Sequence, residues 1–273
     1  MDRALLPTDF AQWVTAVRRQ LRFYVRTWRF VGLLLFILIV DIAVTAVGLY
    51  YGMKGTSASD YLYGALGAMP TLGVIVGAFI GGDAIAMDFG SGTGYFMLVL
   101  PVRRTVLLLG RYAAAFLAAF ALLLVFYTVS LFGAGWFYGL GAIPWVEVVE
   151  SVGLAALFAL AVLATAFLFS AFFRSPAISM VVTILVLFLA FDIIDGVLAI
   201  TSVEPWFSLL YAGEAPALVF ESQPHLTISP PISGVTIHSW NPYVWEGAVI
   251  MLGYFVIALV LSVVLYHYKE LKG

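Results

Sequence analysis

Three carboxylates stand inside otherwise apolar runs of this 273-residue chain: Asp41 in the first run, and Asp192 and Asp195 one turn apart towards the far end of the fifth. A carboxylate in hydrocarbon costs roughly 3 kcal/mol or more unless it is protonated, paired or wetted, so each is a candidate for chemistry. One reading is a proton- or cation-linked site, or polar points along a transport path. The plainer reading makes Asp41 a protonated acid bonded between helices, and Asp192 and Asp195 the wall of a wetted outer vestibule, with a gate as the functional alternative for that pair. No basic residue falls at the depth of Asp41 in any apolar run, which leaves water or the hydroxyls of Tyr and Thr as its partners.

Other chemistry is excluded. The chain has no Cys, so disulfides, thiolate metal sites and Cys nucleophiles are absent. His225 and His238 fall in one polar segment and His267 near the C-terminus, and with no close His pair they read as surface residues. No Gly-x-Ser-x-Gly elbow and no His-Glu-x-x-His helix occurs. Gly52-Met53-Lys54-Gly55-Thr56 lacks the contiguous Gly-Lys-Thr of a phosphate loop and sits at the end of an apolar run. The chain is therefore expected to be no enzyme, with no cofactor of its own and no nucleic-acid partner.

The elements that must position these residues are membrane helices. Hydrophobic residues make up 63% of the chain and charged residues only 10%, against about 45–50% and 25% in soluble domains. Six runs are long enough to cross a bilayer: about 30–51, 64–82, 105–132, 151–173, 177–200 and 244–266. An all-α, six-span membrane protein follows. Residues 1–29 precede the first span and are no signal peptide, since five arginines interrupt any apolar core from Arg18 onward. With Asp9 as N-cap, Phe10, Trp13, Val14, Val17, Leu21, Tyr24, Val25 and Trp28 share one arc and Arg18, Arg19, Arg22, Arg26 and Arg29 the next. That is a basic helix suited to an anionic lipid surface. All but one of the 13 basic residues (Lys54) fall on one side of the six spans, which predicts cytoplasmic termini in a cell membrane and an extracellular segment over 201–245. In that segment, 207–220 reads as short helices lying on the surface or dipping into it, and 226–237 as a small hairpin.

Between spans 2 and 3 lies Asp83–Arg111, DAIAMDFGSGTGYFMLVLPVRRTVLLLGR. Its glycines Gly90, Gly92 and Gly94 disfavour a continuous helix at about 1 kcal/mol each. Its apolar block up to Leu100 does not suit a free loop, and Pro101 breaks what precedes it. A short amphipathic element at the inner face, open to a soluble partner, is the expectation. On span 2, Gly73, Gly77 and Gly81 recur every fourth residue on one face, a spacing that lets membrane helices approach closely.

The stretch resembles the loop between spans two and three of permease subunits of type-2 ATP-binding-cassette (ABC) exporters. That loop carries an acid, Gly-Thr, a leucine-rich turn, Pro-x-Ser-Arg and Leu-Gly-Lys. Asp88, Gly92, Thr93, Leu98, Leu100, Pro101 and Arg104 match; Leu109-Gly110-Arg111 replaces Leu-Gly-Lys, and Arg103 stands where Ser is usual. The order of spans agrees over nearly the whole chain. The resemblance implies an ABC type-2 exporter permease-like fold. It makes residues 1–29 an elbow helix and 30–273 the transmembrane domain, with 83–104 as a coupling element docking on a separate cytoplasmic ABC ATPase that carries ATP and Mg. It also implies a second permease subunit, identical or not, with spans 2 and 5 lining the path; Gly73, Gly77, Gly81, Asp41, Asp192 and Asp195 are then candidates for that path or the dimer face. Three other readings stand beside it: an ordinary loop flanked by topology-setting arginines, an ion-coupled transporter or channel built on the carboxylates, and a non-transporting scaffold.

Overall fold

The computed structural model describes residues 8–50, 57–87, 103–221, 223–229 and 238–268. An N-terminal helix, Asp9–Arg26, is followed by six helices long and apolar enough to cross a membrane. They run Trp28–Tyr50 (span 1), Ala58–Gly81 (span 2), Arg104–Tyr138 (span 3), Trp145–Phe172 (span 4), Pro176–Thr201 (span 5) and Val244–Tyr268 (span 6). The chain is thus an all-α, multi-pass membrane protein, with one small hairpin among the described residues.

Several boundaries differ from the sequence reading for local reasons. Thr8, not Asp9, caps the first helix: its Oγ1 accepts the N–H of Ala11 at 3.3 Å, and Asp9 lies in the first turn, where a negative charge suits the helix dipole. Span 2 begins at Ala58 rather than Gly64, because Ser57 and Asp60 form a reciprocal capping box that starts a helix within the polar connection. A break at Gly67 and Ala68 follows, and Pro70 stands in the first turn of the resumed helix, where its missing N–H costs nothing. Span 3 continues through Trp136, Phe137 and Tyr138 and stops at Gly139, whose φ of 85° a side chain would resist.

Spans 2, 3 and 4 hold most of the core, with Leu62, Leu66, Met69, Leu122, Phe126, Phe158 and Phe167 fully buried. Alanines bring the backbones together, including Ala114, Ala115, Ala118 and Ala119 on span 3 and Ala155, Ala159 and Ala166 on span 4. Spans 1, 5 and 6 lie outside them and present apolar side chains such as Ile39, Ile193 and Ile257 outward. Gly73, Gly77 and Gly81 face span 4 of the same chain. A Cβ at Gly73 would come within 2.5 Å of Phe158, one at Gly77 would collide with Val162, and one at Gly81 would sit 3.0 Å from Ala166. Packing within this subunit thus occupies that face of span 2.

Span 5 is not uniformly α-helical. Leu185–Ala190 forms a π-helical turn between Pro176–Ile184 and Phe191–Thr201, and Ser202 closes the span in the left-handed region at φ 59°. The segment after it turns inward. Its short helices Leu209–Ala212 and Ala215–Leu218 are buried. Ser151 of span 4 donates to the Pro216 carbonyl at 2.6 Å, and Tyr254 of span 6 donates to that of Phe207 at 2.7 Å. Gly213 meets Phe158 in the middle of span 4, the ring that also covers Gly73. Of the two expectations for 207–220, the segment takes the one that dips. Strands β1 (Leu226–Ile228) and β2 (His238–Trp240) pair antiparallel, with Thr227 opposite Ser239.

Candidate functional site

Asp88, Gly92, Thr93, Leu98, Leu100 and Pro101 lie outside the described residues. What is described is how the chain on either side of them is held. Span 2 ends at Gly81, and residues 82–85 leave the helix. Backbone groups freed at the end of a helix need partners, and four side chains supply them. Ser170 of span 4 accepts the N–H groups of Ile85 and Ala86, each at 2.9 Å. Arg111 of span 3, itself buried, donates to the Ala84 carbonyl at 3.2 Å. Ser179 of span 5 donates to the Gly82 carbonyl. Tyr24 of the N-terminal helix donates to the Ile80 carbonyl at 3.1 Å.

A charge pair completes the junction. Asp83 is buried and Arg29, at the start of span 1, pairs with it. Burial pushes the Asp83 carboxyl above the ordinary range, and Arg29 opposes that only in part. The N-terminal helix is also seated on span 3 at Gly110, where a Cβ would approach Ala16 to 2.8 Å. That close approach gives Gly110 of the Leu109-Gly110-Arg111 triplet a physical role, and the Ala84 contact gives one to Arg111. Tyr24 is buried in this contact, whereas Phe10, Val14, Val25 and Trp28 of the same apolar arc stay exposed beside Arg18, Arg19, Arg22 and Arg26.

Beyond residues 88–102, Arg103 pairs with Asp9 at 3.0 Å. Both are exposed, so the pair is worth at most about 1 kcal/mol. Arg104 donates to the His267 carbonyl at the end of span 6, at 3.3 Å. Asp83, Arg29, Arg111, Ser170 and Ser179 were missed as a group by sequence reasoning. The spacing of Asp83 and Arg111 around the glycine-rich stretch was a visible signal; the two serines carry none.

A family comparison bears on the same part of the chain. The profile of a family described as protein of unknown function DUF2705 matches residues 49–271. The chain belongs to the DUF2705 family. No curated protein matches it. The family match spans the junction from Ile80 to Arg111 and everything after it, while the N-terminal helix and most of span 1 precede the matched region.

The intramembrane acids of this DUF2705 chain do not form one site. Asp41 is fully buried, and Ser130 of span 3 donates to it at 3.3 Å. Asp195 instead receives the Ser208 hydroxyl of the inserted segment at 2.6 Å. Asp192 lies on the exposed side of span 5. Glu214 of the same inserted segment is exposed at the surface of the chain, close enough to Asp195 to feel its charge. Between spans 4, 5 and 6, a cleft of about 530 Å³ has almost wholly apolar walls, including Leu168, Val186, Phe191 and Ile257, with Trp206 and Phe207 of the inserted segment also lining it.

Proposed function

We propose that the chain is the permease subunit of an ATP-driven type-2 ABC exporter, coupled to a separate cytoplasmic ATPase that carries ATP and Mg. One observation supports this above the others. The backbone shortly before the 88–101 stretch is clamped by side chains from spans 3, 4 and 5, Arg29 of span 1 pairs with Asp83 there, and Tyr24 of the N-terminal helix holds the last turn of span 2. A stretch rooted in that way transmits a push from a soluble partner to several helices at once. On this reading the basic end faces the cytoplasm of a cell membrane, in keeping with the distribution of Lys and Arg. The exposed apolar and basic faces of the N-terminal helix make it an elbow resting on lipid phosphates.

The path forms with a second permease subunit. Asp192 and Gly196 stand one turn apart on span 5; Asp192 is exposed, and nothing lies within 4 Å of a Cβ built at Gly196. A carboxylate facing lipid is costly, so this face belongs against water or another subunit. Because the chain has no Cys, a single Gly196→Cys change reports directly. We expect an oxidant-dependent disulfide dimer in native membranes, whereas Gly153→Cys, on an exposed part of span 4, stays monomeric. The apolar cleft beside span 6 suits amphipathic cargo. An ion-coupled reading gains no support, because Asp41 and Asp195 are held by different partners on different elements.

The test of coupling is purification of the tagged chain from its native membrane in mild detergent, with mass spectrometry of its companions. A stoichiometric ATPase is expected, and Asp88→Ala or Arg104→Ala should uncouple ATP hydrolysis from export while membrane insertion persists. A chain that arrives alone and carries flux in liposomes without ATP overturns the proposal.

A further inference from the structure

Residues 175–268 contain no Lys or Arg, yet they hold six carboxylates: Asp192, Asp195, Glu204, Glu214, Glu221 and Glu246. Lys54 is the one basic residue assigned to the same side, so within this stretch any balancing positive charge comes from a histidine, a proton or a bound cation. Three side chains from separate elements converge there. Glu204 follows span 5, His225 precedes β1, and Glu246 lies in the first turn of span 6. One donor atom from each lies within 4.8 Å of the other two, and all three residues are half-buried.

The geometry suits a metal ion. His225 Nε2 is 3.5 Å from Glu204 Oε2. A tetrahedral ion with bonds of about 2.0–2.1 Å holds its ligand atoms roughly 3.3 Å apart, so closing on a cation takes only small side-chain movements. The imidazole is oriented from outside the trio. Its Nδ1 faces the Asn241 carbonyl at 2.8 Å. A carbonyl only accepts, so the ring proton belongs on Nδ1, and the Nε2 lone pair is free to point at the carboxylates. This backbone-anchored imidazole is the usual second support of a metal-ligating histidine. Tyr243 stacks on the ring with centroids 4.5 Å apart, and Trp240 meets it edge-on at 5.4 Å. The outer oxygens are already occupied: Tyr211 donates to Glu204 Oε1 at 2.8 Å, and the Tyr243 N–H to Glu246 Oε2 at 3.3 Å. Glu204 Oε2 and Glu246 Oε1 remain for a ligand.

We propose that Glu204, His225 and Glu246 form a divalent transition-metal site of the zinc class, which ties the inserted outer segment to the ends of spans 5 and 6. One imidazole nitrogen with two carboxylates favours such an ion over calcium or magnesium, which take all-oxygen sets. Three protein ligands leave a fourth position for water. The site is independent of the exporter assignment. It also revises the expectation that the histidines of this segment are ordinary surface residues: His225 is drawn in, whereas His238 contacts Ser202 and the Ala199 carbonyl instead.

The test uses the full chain, purified in detergent and stripped with a chelator, and titrated with zinc chloride by calorimetry. Tight binding of one zinc per chain is expected, together with a rise in melting temperature. His225→Asn and Glu246→Gln should each weaken zinc binding at least tenfold, and His238→Asn should leave it unchanged. Monodisperse elution of Glu246→Gln, which keeps the side-chain volume, establishes that the loss is not misfolding; Glu204→Gln serves in its place if that variant aggregates. Absence of zinc binding, equal affinity in the substituted chains, or an equal melting shift from magnesium chloride overturns the site and leaves a simple histidine–glutamate ion pair.

Discussion

Arg29→Gln is expected to lower the melting temperature of the chain at pH 8, whereas Asp83→Asn is not. The asymmetry follows from burial. Asp83 is enclosed, while the Arg29 side chain is 54% exposed. Removing the arginine strands a buried carboxylate, which for a fully enclosed pair costs about 3–5 kcal/mol. Screening at the open guanidinium reduces the expectation here to roughly 1–2 kcal/mol. Removing the acid instead deletes a group whose desolvation outweighs what Arg29 returns. The pH dependence has a definite sign. A carboxyl whose folded-state pKa is raised favours the folded state below the ordinary carboxylate range, and that contribution disappears as pH rises through the raised value. The deficit of Arg29→Gln should therefore shrink on acidification, and any advantage of Asp83→Asn should grow as pH increases. The double variant should regain most of what Arg29→Gln loses. Melting curves of the four proteins between pH 5 and 8 check this; equal losses in both single variants would mean that the pair is a net stabiliser. Under the exporter proposal, both single changes also loosen the start of span 1 from the junction that follows span 2, so ATPase coupling should fall even where stability does not.

The second large effect is expected at Gly77. Leucine there drives a side chain into Val162, and valine is stiff at χ1 and has little freedom to move aside. Overpacking of this kind costs about 1–3 kcal/mol, here at the contact between two of the most buried spans. Gly81→Ala, which meets Ala166 at 3.0 Å, should cost less, and Gly153→Leu, with nothing within 4 Å of its Cβ, should cost little. Thermal unfolding in one detergent ranks the three. If Gly77→Leu melts like the parent chain while its oligomeric state changes, the glycine face serves a second copy after all.

How far the fold was readable depended on the kind of signal. The number of membrane helices was plain, because apolar runs of that length have one common solution. Their ends were not. Ser57 and Asp60 start a helix inside a segment that looks polar on average, and capping outweighs composition over so few residues. The spacing of Gly73, Gly77 and Gly81 announced close approach but not the partner; Phe158, Val162 and Ala166 are apolar residues on an apolar span and advertise nothing. Asp41 stood out as a charge without saying that Ser130 would meet it. The junction at the basic end was half visible. Asp83 and Arg111 flank an odd stretch of sequence, but their contacts to Arg29 and to the Ala84 carbonyl are long-range. Ser170 and Ser179 are small hydroxyls in membrane helices, and only the path of the 82–86 backbone gives them purpose.

The π turn at Leu185–Ala190 has a consequence of phase. A π turn accommodates about one more residue than α-helical winding would over the same stretch. Everything from Phe191 onward is therefore held back by roughly 100° relative to the same residues in an uninterrupted helix. Asp195 owes its alignment with Ser208, and Asp192 its outward aspect, to the turn that absorbs that surplus residue. Rewinding 185–190 as α-helix with the same number of residues would swing the carboxylates around the axis without altering either of them, whereas deleting one residue there would remove the surplus and leave their facing unchanged. Span 5 thus carries an angular offset set by its winding alone, and the same acids would form a different surface on a regular helix.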